Sequence, residues 1–288
     1  MFSIRSIANG GDGPQRGDVS ASPLLEVEDL RVRFHSKGEA DVEVVRGISF
    51  QMGAEKLGIV GESGSGKSIT ARSILRVLPQ GSSVTARRIA FRGRDLLDLP
   101  ESTMRQVRGR NISMIMQDPR FSLNPTIRVG RQIAEMVRIH FGTGSAEAMR
   151  RAEEALESVR MKEPKRVMHA YPHEISGGMG QRVMIAMMLV AEPSLLIADE
   201  PTSALDVSIQ IQILSLLDDL VASRNMGLIL ISHDMQLVSS FCDRVLVMYR
   251  GEIVERCEAA ELHNAKHPYT RQLLAATPQL QPAGRPLQ

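Results

Sequence analysis

The sequence predicts an α/β fold built on a mostly parallel sheet that is covered on both faces. Three observations carry that reading. Short continuous apolar runs recur at residues 57–60, 112–116, 195–198, 228–231 and 245–248, and runs without polar alternation suit strands buried on both sides. Between them lie stretches with apolar residues at helical intervals, such as 69–78. Finally, 288 residues with 43% hydrophobic and 24% charged side chains supply a substantial core and exclude wholesale disorder.

Taken in order, residues 1–23 combine turn formers with few apolar side chains and are expected to form a flexible arm. The folded part begins near Leu24. Leu25, Val27, Leu30, Val32 and Phe34, then Val42, Val44, Ile48 and Phe50, form the short alternating runs of half-buried strands, which predicts an antiparallel β subdomain. The run 57–60 feeds a glycine-rich turn, and the helix 69–78 after it is stopped by Pro79, Gln80 and Gly81. Between Asp118 and Pro172 the strand-like runs disappear. Residues 129–139 and 146–159 carry helical periodicity there, with Arg151, Glu153 and Glu154 on a wet face, so an all-helical insertion is expected at about 118–175. The main domain is read as 24–257. Residues 258–288 form a C-terminal extension, with a helix over 269–276 and a Pro-rich tail from Pro278. Met184, Met187 and Met188 fall in an apolar helix, where core filling is the common use of methionine. The arginine-rich segments 87–88 and 105–110 read as ordinary surface charge.

Composition removes several function classes. A net charge of +2 is too small to build a strong field for nucleic acid. Aromatic residues at 3% with no Trp leave no stacking platform for single strands, so no nucleic-acid partner is expected. Cys242 and Cys257 lie in no metal-binding pattern and suit a reducing compartment. Two thiolates cannot supply the four that an iron-sulfur cluster needs, so no cluster is expected. The N-terminus lacks the apolar segment of a signal peptide, and no run approaches the ~20 apolar residues that cross a bilayer.

Residues Gly61, Glu62, Ser63, Gly64, Ser65, Gly66, Lys67 and Ser68 fit GxxxxGKS, directly after a strand and opening the helix that carries Ile69. The glycines let backbone N–H groups curl around phosphate oxygens, and the helix N-terminus adds positive potential. Lys67 reaches the β and γ phosphates, and the Ser68 hydroxyl suits Mg²⁺. The run 195–198 ends in Asp199 and Glu200. A buried strand end is an expensive place for two carboxylates unless a metal or a catalytic task uses them. Asp199 suits the Mg²⁺ shell, and Glu200 is placed to polarise an attacking water. These two motifs define a P-loop NTPase. Ser176, Gly177, Gly178, Met179, Gly180 and Gln181 then open a second apolar helix and offer a second set of free N–H groups to an anion. Two phosphate readers in one chain suggest a composite site.

At this point the chain resembles the ATP-binding subunits of ATP-binding cassette (ABC) transporters. Their signature LSGGQ corresponds here to Ile175, Ser176, Gly177, Gly178 and Met179. The resemblance implies a RecA-like P-loop core with an antiparallel β subdomain and a helical insertion. It also implies two cassettes packed head to tail, the signature of one closing over the ATP and Mg²⁺ held by the other. It places the Q-loop at Gln117, to sense Mg²⁺ and the transporter, and the D-loop at Ser203, Ala204, Leu205 and Asp206, with Asp206 bridging the dimer. It makes His233 the switch histidine that holds the γ-phosphate and the attacking water. Phe34, at the end of the first strand, falls where an adenine-stacking aromatic is usual, and is equally well read as β-core.

Further stretches are similar to the subunits that power import of oligopeptides, dipeptides or nickel: Gln117-Asp118-Pro119, Ser122-Leu123-Asn124-Pro125, Pro172-His173-Glu174 and His267-Pro268-Tyr269-Thr270-Arg271. That likeness implies a peripheral subunit on the cytoplasmic face of a bacterial membrane. Its partners would be a second cassette, two permeases and, indirectly, an external solute-binding protein. Gly180 departs from the pattern, standing where an arginine is common. The rival reading is a soluble cassette ATPase of translation or DNA repair, although the chain has a single P-loop and no long heptad run. A switch GTPase is a third reading, which the Ser176 signature argues against.

Overall fold

The computed structural model of the chain describes residues 23–35, 40–117, 122–203 and 205–276. The expected N-terminal arm, apart from Pro23, and the Pro-rich tail lie outside them, as do Asp118, Pro119 and Ala204.

Two sheets organise the chain. The first is antiparallel: β1 (Leu25–Phe34) pairs with β2 (Val42–Met52), β4 (Ser82–Thr85) and β5 (Arg88–Phe91), and β5 pairs with β6 (Arg94–Asp95). The second has the order β11 (Glu252–Glu258), β10 (Arg244–Tyr249), β3 (Lys56–Val60), β9 (Gly227–Ser232), β8 (Leu195–Asp199), β7 (Ile112–Ile115). It is parallel except for β11, which returns as a hairpin beside β10. The five apolar runs of the sequence are its five parallel strands, each shifted by a residue or so at its ends.

Alternate residues of these strands enter two different cores, because successive side chains on a strand point to opposite faces. Leu196, Ala198, Leu228, Leu230, Val245 and Val247 join the helices on one side. Leu195, Ile197, Ile229, Ile231, Leu246 and Met248 join the antiparallel sheet, α1 (Lys67–Ile74) and α2 (Glu101–Arg110) on the other. Both faces are therefore covered, which explains the lack of polar alternation.

The helical side contains α3 (Val129–Phe141), α4 (Ser145–Ser158), α5 (Pro164–His169), α6 (Gly177–Leu189) and α7 (Val207–Arg224). Helix α8 (Met235–Phe241) follows β9, and α9 (Pro268–Ala276) ends the described chain. Met184 and Met187 are buried and Met188 packs against the same cluster, in keeping with their reading as core. Arg108 and Arg110 lie in α2, whose helical geometry breaks at Arg108 and Gly109.

The loop that contains Asn124 and Ile127 is held from α3. Buried Gln132 on α3 accepts from the Asn124 N–H at 2.9 Å and donates to the carbonyls of Asn124 and Ile127 at 2.9 and 2.7 Å. One glutamine thus satisfies three backbone groups of the loop that follows Gln117. Before α6, the Glu174 carboxylate accepts from the Tyr171 N–H at 2.7 Å and closes a short 3-10 turn at Pro172–Glu174.

Candidate functional site

The carboxyl ends of β3, β9, β8 and β7 lie side by side, since those strands are adjacent and parallel. The residues just beyond them are Gly61, His233, Glu200 and Gln117, so four separated segments converge on one rim. This is where open α/β sheets bind ligands.

The turn after β3 demands glycine. Gly61, Gly64 and Gly66 all have positive φ, at 149°, 81° and 101°. A Cβ on Gly61 would stand 2.1 Å from the Met248 carbonyl oxygen of β10, which nothing but glycine tolerates. The Ser65 N–H donates to the Glu62 carbonyl at 3.2 Å, the Gly251 N–H to the Ser65 carbonyl at 3.1 Å, and the Glu62 N–H to the Tyr269 hydroxyl at 2.9 Å. The loop is thus backed by the β10–β11 turn and by α9. Lys67 is buried at the head of α1, its ammonium donating to the carbonyls of Gly61 and Glu62 at 2.7 and 2.8 Å. Burial lowers its pKa, opposed by the charges of Glu200, Asp199 and Glu62.

At the end of β8, Asp199 is buried and accepts from the Ser68 hydroxyl at 2.8 Å. Burial raises its carboxyl above the ordinary range, with the Ser68 hydrogen bond pulling the other way. Glu200 follows with φ of 48°, a left-handed conformation that costs a non-glycine residue about 1–3 kcal/mol. Its N–H donates to the Ile231 carbonyl of β9 at 3.0 Å, which holds the turn. Both carboxylate oxygens are engaged: the Gln117 amide donates to Oε2 at 3.0 Å, and His233 Nδ1 lies 3.1 Å from Oε1. His233 does not cap the next helix. Asp234 does, accepting from the N–H groups of Gln236 and Leu237.

Of the residues singled out from the sequence, Ser63, Gly64, Gly66, Lys67, Ser68, Ile69, Gln117, Glu200 and His233 line one cavity, together with Val44 of β2. Gly61, Glu62 and Ser65 form the remainder of its turn, and Asp199 lies under Ser68. Phe34 is not among the lining residues and packs, half-buried, against the core under the antiparallel sheet. Ser176, Gly177, Gly178 and Asp206 do not line the cavity either. They form a second locus where two helices begin. Ser176 caps α6, accepting from the Met179 N–H at 3.4 Å, and Asp206 caps α7, accepting from the Ile209 N–H at 3.0 Å. A Cβ on Gly178 would come 2.9 Å from Ile209, and one on Gly177 3.9 Å from Leu205, so the two helix starts touch. The Asp206 carboxyl lies below its ordinary range because the Ser208 hydroxyl and the Ile209 N–H donate to it. Sequence reasoning missed Tyr269 as a contact of the loop, Gln132 as the pin of the 124–127 loop, and Val44 as a wall of the cavity. The first two depend on long-range packing, which no local pattern announces.

The sequence profile of the ABC transporter family matches residues 45–203. A probable peptide ABC transporter ATP-binding protein of Sinorhizobium fredii is 50% identical over 266 residues, covering 91% of this chain and 79% of that protein. The chain belongs to the ABC transporter family. It is an ATP-binding, ATP-hydrolysing subunit of the import kind. A glutathione import ATP-binding protein of Salmonella typhimurium is 46% identical over 275 residues, covering 93% of this chain and 44% of that longer protein. Relatives named for import leave the translation or DNA-repair reading unfavoured. Among solved structures, a dimeric post-hydrolysis ATP-binding cassette bound to ADP and Pi superimposes with a TM-score of 0.72 at 23% identity, over 82% of this chain and 99% of that one. The fold is that of an ABC cassette. No helix among the described residues is long and apolar enough to cross a membrane.

Proposed function

We propose that the cavity at the carboxyl ends of β3, β7, β8 and β9 is the hydrolytic half-site of a peptide or small-solute importer. The observation that carries this is the meeting of the P-loop with Gln117, Glu200 and His233 around one space. The cassette would span 24–257 with its helical insertion at about 118–175, and 258–288 would be the extension.

The residues fit Mg²⁺. Ser68 and Asp199 offer hard oxygen donors in mutual contact, and no group of three or more His, Cys, Asp or Glu among the described residues forms a protein cage for metal. Mg²⁺ takes such one- or two-ligand sites when phosphate oxygens and water complete its shell. Ser68 and Asp199 would hold it, with Gln117 alongside, and it would supply charge neutralisation at the phosphates. The backbone N–H groups of Ser63 to Ile69 would cradle the triphosphate, with Lys67 adding its charge. Glu200 would take the proton of the attacking water, its carboxylate aimed by Gln117 and His233. Because Gln117 touches the base directly, a movement of its segment alters the base's orientation, which is a physical route from permease to chemistry.

Ser176, Gly177, Gly178 and Asp206 lie outside this cavity, so they would serve a second cassette's nucleotide. In its setting the subunit would sit on the cytoplasmic face of a bacterial membrane with that second cassette and two permeases, and indirectly with a solute-binding protein. Two variants test the site. Lys67→Ala should weaken MgATP binding by more than about tenfold. Glu200→Gln should bind ATP like the parent while kcat falls by about 10²–10⁴. Unchanged turnover in Glu200→Gln removes that residue from its role.

A further inference from the structure

The C-terminal extension, which lies outside the 45–203 span of the family profile, reaches back to the nucleotide loop. Contacts of Glu255, His267 and Tyr269 build this connection. The Glu255 carboxylate of β11 accepts from the N–H groups of Lys266 and His267 at 2.7 and 3.1 Å, fixing where α9 begins. The Tyr269 N–H donates to His267 Nδ1 at 3.2 Å, setting the first turn of that helix. Tyr269 is then buried, its ring 4.0 Å from that of Tyr249 on β10, and its hydroxyl accepts from the Glu62 N–H.

The Glu62 N–H lies in the loop but curls away from the phosphate side, toward the protein. The bond is part-buried, with the N–H facing the buried Tyr269 ring, and removing the one acceptor on that side weakens the loop's hold on that conformation. The neighbouring Gly61 lies close against the Met248 carbonyl, where even a Cβ would come within 2.1 Å. The hydroxyl therefore selects the loop geometry that presents the following N–H groups to an anion.

We propose that Tyr269 is a positioning residue for ATP, presetting the P-loop through the Glu62 N–H and making the extension part of the nucleotide site. This rests on the reading of that cavity as the ATP site. An unaided loop would hold the competent geometry only part of the time, and apparent affinity falls by that fraction.

The test uses the full chain and three variants, with equilibrium binding of a fluorescent trinitrophenyl-ATP in Mg²⁺ as the readout, alongside KM, kcat and Tm. Tyr269→Phe keeps the ring against Tyr249 and removes only the acceptor. Its Kd and KM for nucleotide should rise by about three- to tenfold, with kcat within about twofold of the parent. Leu262→Ala, which removes a buried side chain of the same extension without touching the loop, should lower Tm and leave Kd unchanged. Parental Kd in Tyr269→Phe overturns the proposal. So does a Tyr269→Phe defect that Leu262→Ala reproduces, since general loosening of the extension would then explain both. Lys67→Ala separates the underlying reading: if it binds nucleotide like the parent, the assignment of the cavity fails, whatever Tyr269 does.

Discussion

Glu200 and Asp199 are neighbours in sequence and opposites in environment. Asp199 is buried under Ser68, and Glu200 is turned by a strained φ into the cavity between Gln117 and His233. The cost of the Asp199 position gives a prediction with a definite sign. Its carboxyl is raised in the folded state, so ionisation disfavours folding at every pH above that raised value. The penalty fades as pH falls and vanishes below the unfolded pKa, where both states are protonated. Asp199→Asn can keep the Ser68 hydrogen bond without the charge. It should raise Tm by about 2–4 °C near neutral pH, an advantage that disappears below about pH 4, while MgATP binding is lost. Thermal denaturation across pH checks this, and a lower Tm at pH 7 contradicts it. Most of this constellation was legible, because the P-loop and the carboxylate pair are each contiguous and sit at strand ends marked by apolar runs. Phe34 carried two readings, an adenine-stacking aromatic or β-core. It packs half-buried against the core, and Val44 across the hairpin lines the cavity.

Among the elements, the parallel strands were the easiest to read and two helices the hardest. Helix α2 offers only Met104 and Val107 as buried residues, too few for a periodic signal among its arginines. The beginning of α7 alternates Val207, Ile209, Ile211 and Ile213 with polar residues, a period of two that argues against a helix. The Asp206 cap and the buried Ile213, Leu216, Leu217 and Leu220 decide in the helix's favour, and leave Val207 and Ile211 exposed as the residue of that conflict. The loop at 124–127 owes its form to α3. Gln132→Ala should therefore cost about 1 kcal/mol, lowering Tm by roughly 2–4 °C, and should speed amide exchange at Asn124. Unaltered protection of that amide would show that the loop holds itself.

At the scale of the whole molecule, one sheet divides two cores, and the two loci proposed to read phosphate lie on different parts of the chain. The P-loop lines the cavity at the strand ends and is backed by the β10–β11 turn and Tyr269, whereas the signature residues begin α6 and do not line that cavity. The order of motifs made the cassette recognisable from sequence. That the signature stands apart from the cavity required coordinates, because spacing along a chain does not state distance across a fold. On the proposed reading a lone cassette is an incomplete catalyst, and its activity should then follow association by mass action. The most direct measurement is ATP turnover per mole of the full chain over about a thousandfold dilution, for the parent and for Ser176→Ala. Specific activity should fall on dilution, and Ser176→Ala should lower it throughout. Constant activity at every concentration, equal in both proteins, would contradict a composite site.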